Sequence, residues 1–142
     1  MRPFGAGRAD ARVWLQTLGV IETGSISVIE GECFCGAVRC RIDGALKNAR
    51  SCHCSRCRKA FSGAASAYAE LESPESFAWT TGKENVRRYS SQIDWGLGFC
   101  KTCGSTMCGY IKNSVHGVKP GCVNGDPGVK IGAHIIVGSR AP

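Results

Sequence analysis

The sequence predicts an all-β domain of short antiparallel strands, and three observations carry that expectation. From Gly31 onward, short apolar or alternating runs are separated by Gly, Ser, Asn and Asp, the pattern of strands joined by tight turns. Nineteen glycines supply the backbone freedom such turns require. No internal repeat and no strand-helix alternation points instead to a solenoid or a parallel sheet. At 142 residues, 43% apolar and 20% charged, the chain has the size and composition of one globular domain with its own core rather than of several domains or a disordered tail.

Residues 1–30 differ from the remainder. Arg2, Arg8 and Arg12 stand around Gly5 and Gly7, there is no Cys, and no helical or strand period appears. This segment reads as an N-terminal extension, disordered or arm-like, without the Ser enrichment or amphipathic face of an organelle transit peptide. The domain proper is expected over 31–142. Its clearest strand is 38–42, where Val38, Cys40 and Ile42 alternate with Arg39 and Arg41, so that the first three face inward before a turn at Asp43-Gly44. Further strands are expected at 65–71, 76–80, 86–90, 96–100, 107–111 and 133–137, each flanked by turn formers. Only the stretch after Cys57, through Lys59 and Phe61, reads as a helical turn. Of the aromatic residues, Phe61, Phe77, Trp79, Tyr89, Trp95, Phe99 and Tyr110 are candidates for core or pocket, with Trp95, between Asp94 and Gly96, expected to be the exposed one.

Ten cysteines are well above ordinary usage for a chain large enough to build a core without staples. No apolar stretch is long enough to span a membrane and no export signal is found, so the expected compartment is the reducing cytoplasm. There, clustered thiols bind metal more often than they form disulfides. Seven of the ten fall into three clusters: Cys33-Phe34-Cys35, Cys52-His53-Cys54-Ser55-Arg56-Cys57 and Cys100-Lys101-Thr102-Cys103. Zinc takes four ligands tetrahedrally, and seven thiols divide as four plus three. Cys33, Cys35, Cys100 and Cys103 can close a structural site by bringing two hairpins together, with Gly36 and Gly104 where the backbone turns around the metal. Cys52, Cys54 and Cys57 then supply three ligands to a second zinc and leave a position open.

An open position is the mark of a catalytic rather than a structural zinc, and a thiol substrate suits a three-thiolate site. The competing reading closes the central site with a fourth ligand from His53, Cys40, Cys108, Cys122, His116 or His134, which makes both metals structural and the protein a non-enzymatic interaction module. A thioredoxin-like role for Cys100 and Cys103 lacks the strand-helix-strand setting it needs. The formal charge of +7 falls to about +4 once seven thiolates and two dications are counted, and the one-residue spacing of Cys33 and Cys35 is a poor match to a nucleic-acid-binding zinc ribbon, so nucleic acid is not the expected partner. Arg56, Arg58 and Lys59 flank the open-site cysteines and are candidates for holding a substrate's carboxylates.

Three stretches together, Gly31-Glu32-Cys33-Phe34-Cys35-Gly36-Ala37-Val38-Arg39, Cys52-His53-Cys54-Ser55-Arg56-Cys57-Arg58-Lys59 and Phe99-Cys100-Lys101-Thr102-Cys103-Gly104, resemble the glutathione-dependent formaldehyde-activating enzyme family, which includes centromere protein V. The late segment His134-Ile135-Ile136-Val137-Gly138-Ser139-Arg140-Ala141-Pro142 looks like that family's closing strand. The resemblance implies a β-tent fold, a structural zinc on Cys33, Cys35, Cys100 and Cys103, and a second zinc on Cys52, Cys54 and Cys57. It also implies an activity, the condensation of glutathione with formaldehyde to S-hydroxymethylglutathione, in the carbon-sulfur lyase class. Glutathione or another small thiol is the expected partner.

Overall fold

The computed structural model describes residues 27–91 and 94–142. In chain order its regular elements are β1 (Val28–Glu32), β2 (Arg39–Asp43), β3 (Leu46–Cys52), α1 (Ser55–Phe61), β4 (Ser66–Leu71), β5 (Phe77–Thr81), β6 (Val86–Ser91), β7 (Trp95–Cys100), β8 (Thr106–Ile111), β9 (Ser114–Val118) and β10 (Ala133–Ile135). They form two sheets. The smaller has the order β1-β2-β5, and the larger runs β10-β3-β4-β9-β8-β7-β6. Every pairing is antiparallel except β10 with β3, which is parallel.

The alternation expected around residue 40 is realised: Val38, Cys40 and Ile42 are buried while Arg39 and Arg41 are exposed, and Gly44 turns the chain at a positive φ of 124°. Apolar side chains meet in two adjoining groups. One gathers Ile42, Leu46, Leu71, Cys108 and Val118, and the other gathers Val38, Cys40 and Met107 around Cys33 and Cys100. Phe77 and Trp79 pack against both groups, edge to face with ring centres 4.8 Å apart. Two thiols expected to be ligands are thus built into the core itself.

Strands β2, β4, β5, β6, β7 and β8 lie within a residue of their expected places. Strands β3 and β9 were not expected, and β10 stops at Ile135 because Ile136 takes the left-handed conformation, φ 55°, before a 3-10 turn over Val137–Ser139. Strand β1 begins at Val28, within the segment read as an extension, and the rest of that segment up to residue 26 lies outside the described residues. The helical turn expected after Cys57 belongs to α1, which starts two residues before that cysteine.

Candidate metal centres

The first cluster sits where the two sheets meet. Cys33 and Cys35 follow β1, and Cys100 and Cys103 bracket the turn that leaves β7. Both turns close on a glycine, the second one residue longer than the first. The Gly36 amide donates to the Cys33 carbonyl at 2.9 Å and the Gly104 amide to the Cys100 carbonyl at 2.9 Å, each glycine at a positive φ that a side chain would strain, 73° and 77°. These tight turns aim the sulfurs at one point. Cys33 and Cys35 Sγ are 3.6 Å apart, Cys35 and Cys100 Sγ are 3.9 Å apart, and all four sulfurs lie within 4.8 Å of one another. Four sulfurs about 2.3 Å from a tetrahedral zinc would stand about 3.8 Å from each other, so the geometry fits such an ion.

The surroundings favour the thiolate at Cys103, whereas Cys35, despite a backbone hydrogen bond from Ala37, is pushed up to about 11 by desolvation and the neighbouring thiols. The Val38 amide donates to Cys33 Sγ at 3.3 Å. Hydrogen bonding with the Ser105 side chain, and then with its backbone, brings the Cys103 thiol down to about 6. Ser105 Oγ also accepts from the Phe34 amide at 3.0 Å, locking one turn against the other. Phe34, between two of the sulfur-bearing residues, is 93% exposed.

The second cluster is built from the end of β3 and the start of α1. Cys52 closes β3, Cys54 is the N-cap of α1, and Cys57 lies in its first turn. Cys54 Sγ accepts from the Cys57 amide at 3.3 Å, as a capping serine would, and this bond holds its thiol below the ordinary range. Burial, reinforced by hydrogen bonds with Cys52 and Cys54, pushes the Cys57 thiol up to about 12. The three sulfurs lie within 4.8 Å of one another, and among the described residues no fourth His, Cys, Asp or Glu joins them at that distance. His53 Nε2 is instead 2.9 Å from His134 Nδ1, with the rings tilted against each other. Cys40, Cys108, Cys122 and His116 belong to neither group; Cys40 and Cys108 are buried, and His116 stacks on Tyr68.

Against this cluster stands a side chain that no motif announces. Lys119, just past β9, donates from Nζ to Ser66 Oγ at 2.7 Å and rests 3.7 Å from the centre of the Phe61 ring. Burial lowers its pKa to about 8, against the pull of Cys57, Cys122 and Cys52 toward the charged form. Ser66 is buried and pairs with Cys52 across β3 and β4, so the ammonium and the thiols are held from adjoining points of one sheet. Beside Cys57 opens a cavity of about 670 Å³, walled by Phe61, Tyr89, Trp95, Leu97 and Phe99, with Arg56 and Lys59 also on its lining. Arg58 is absent from that lining, and its buried Nε has no hydrogen-bond partner among the described residues.

The structure therefore brings together each of the two sets of thiols that the spacing suggested, and it places Arg56 and Lys59 beside the central one. Of the candidate aromatics, Phe61, Tyr89, Trp95 and Phe99 reach the cavity, whereas Phe77 and Trp79 pack on the core and Tyr110 lies under Arg88. Trp95 is exposed as expected, and so is Tyr89. Sequence reasoning missed Ser105, for which Cys103-Gly104-Ser105 was a usable signal, and Lys119, for which there was none.

An all-β scaffold with one complete and one incomplete cluster of metal-ready thiols defines a narrow class of protein. The profile of the glutathione-dependent formaldehyde-activating enzyme family matches residues 28–139, and the chain belongs to that family. It is also similar to the crystal structure of a Rhodobacter sphaeroides protein, at 27% identity over 74% of this chain and 98% of that one, with a TM-score of 0.55. A search of the curated proteins found no match. Among the described residues, no helix is long and apolar enough to cross a membrane.

Proposed function

We propose that the protein is a zinc-dependent enzyme of the carbon-sulfur lyase type that joins glutathione, or another small thiol, to an aldehyde and cleaves the adduct in reverse. The observation that carries this reading is the difference between the clusters: four sulfurs complete a tetrahedron, three do not. Cys33, Cys35, Cys100 and Cys103 are assigned to a structural zinc, and Cys52, Cys54 and Cys57 to a reactive one. A zinc ion held by the three central thiolates would supply Lewis acidity that keeps an incoming thiol deprotonated near neutral pH.

The remaining work falls to the chain. Arg56 and Lys59, on the cavity wall with Cys57, are placed to pair with the carboxylates of glutathione, and Arg58 continues the same basic run. Lys119 sets a positive charge behind the thiols and offsets their excess negative charge. In the reaction, the thiolate sulfur forms a bond to the carbonyl carbon, the carbon-oxygen π pair moves to oxygen, and that oxygen takes a proton. The paired rings of His53 and His134, beside the cluster, offer a route by which this proton reaches the site from solvent. A reducing cytoplasm suits a chain whose ten cysteines are all free.

The test combines metal analysis with exchange NMR of glutathione and formaldehyde. The wild type is expected to carry two zinc ions and to speed adduct exchange, while Cys54→Ser retains one ion, stays folded and loses at least about 100-fold of the acceleration, on the scale of losing a metal-based electrophile. Equal exchange rates in the two proteins would reject the assignment.

A further inference from the structure

We infer that the carbonyl partner of this site carries a bulky apolar group of about the size of an aromatic ring, an inference that rests on the proposed thiol-aldehyde chemistry for its reacting end. Formaldehyde contributes one carbon and one oxygen, on the order of two water molecules at about 30 Å³ each. The cavity that begins at Cys57 holds about 670 Å³, within the range of sites that bury whole organic ligands.

Its walls show what would fill it. Trp95, Leu97 and Phe99 occupy alternate positions of β7 and so share one face, Tyr89 pairs with Leu97 from β6, and Phe61 closes the other side from α1. The opposite face of β7 is given to Gly96 and Gly98, where a Cβ would meet the Tyr89 carbonyl oxygen at 2.7 Å and Cys108 Sγ at 2.6 Å. The large side chains of β7 are thereby confined to the cavity side. Trp95 remains 41% exposed and Tyr89 58% exposed, and both line the recess, so part of their ring surface is uncovered among the described residues.

Glutathione cannot be what this wall receives, because its two carboxylates and ammonium would be buried against rings that offer little to pair with them. Arg56 and Lys59 can meet those charges, while the aromatic floor takes the substituent on the carbonyl carbon. A flat, apolar group stacked on Trp95 fills the aromatic half and leaves Arg56 and Lys59 to the carboxylates of the thiol.

The test is calorimetry on the protein purified with its metal, using ethanethiol, phenylmethanethiol and benzyl alcohol as probes, in the wild type, Trp95→Phe and Trp95→Ala. Phenylmethanethiol is expected to bind at least about 10-fold more tightly than ethanethiol, with Trp95→Phe keeping most of that preference and Trp95→Ala cutting it below about 3-fold while ethanethiol affinity stays unchanged. Equal affinities for the two thiols, or a preference that Trp95→Ala leaves intact, would overturn the inference. If neither thiol binds but benzyl alcohol does so in a Trp95-dependent way, the apolar site stands and the open metal position falls. If no probe binds, both fall.

Discussion

Lys119 carries a partly buried ammonium whose nearest partners are a hydroxyl and an aromatic face. A cation in that setting is held partly against its own desolvation, and burial accordingly brings its pKa from 10.5 to about 8. A base whose pKa is lowered by folding binds fewer protons in the native than in the unfolded chain between those two values. The group therefore costs most below pH 8, and its cost vanishes as pH rises through 10.5. Burial also pushes the Cys40 and Cys108 thiols up to about 12, which makes stability fall with pH over an overlapping range. The comparison must thus be with Lys119→Met, in which those thiols remain. Relative to that variant, the wild type is expected to gain up to about 3 kcal/mol between pH 8 and 10.5, measured by urea unfolding at equal metal loading. A gap that stays level across the range would mean that the ammonium is solvated.

Helix α1 has seven residues, none of them buried, and no acidic residue in its first turn. A segment that short is not stable by its own propensity, so the Cys54 cap, the contact of Phe61 with Lys119 and any ion on the three thiols would hold it. Removing the central metal is expected to raise amide exchange at Arg58, Ser62 and Gly63, whose amides bond to the Cys54 or Arg58 carbonyl, by about 10-fold or more. The β6–β7–β8 amides should keep their protection, and uniform loss would show that the helix is not a separate unit. The same local logic explains what could be read in advance. Strand β2 alternates cleanly and α1 begins at a recognisable cluster, so both were legible. Strand β3 was not, since Leu46-Lys-Asn-Ala-Arg-Ser-Cys52 has no two-residue period and Asn48 breaks the register at a positive φ of 50°. Strand β9 contains Gly117, whose missing Cβ leaves room for the Tyr68 ring and the Ala69 carbonyl, a requirement visible only once β4 lies alongside. Lys119 was illegible for the same reason: the pairing of Val118 with Ala69 puts it near Ser66.

The two clusters differ most in what they hold together. The central one joins β3 to a helix that follows it almost at once, whereas the first joins β1 of the small sheet to the β7–β8 turn of the large one, with Cys35 and Cys100 65 residues apart in sequence. An ion held there would close a long loop beside the core, because Cys33 and Cys100 pack with Val38, Cys40 and Met107. The Phe34 amide bonds to Ser105 across the same junction, and nearby the Asn124 amide bonds to the Glu30 carbonyl and an isolated bridge pairs Gly31 with Val123. Losing the ion removes that closure and leaves buried sulfurs to find new partners. Structural zinc in small domains contributes on the order of 10 kcal/mol to the folded state, and a chain of this size loses about 2–4 °C of Tm per kcal/mol. Cys33→Ser is therefore expected to lower Tm by roughly 20 °C or more, or to prevent folding, while Cys54→Ser costs only a few degrees. Thermal melts of both variants beside metal analysis make the comparison. If Cys54→Ser proved the more damaging, the division of labour between the clusters would be reversed, with the three-thiol site carrying the fold and the four-thiol site left to explain the chemistry.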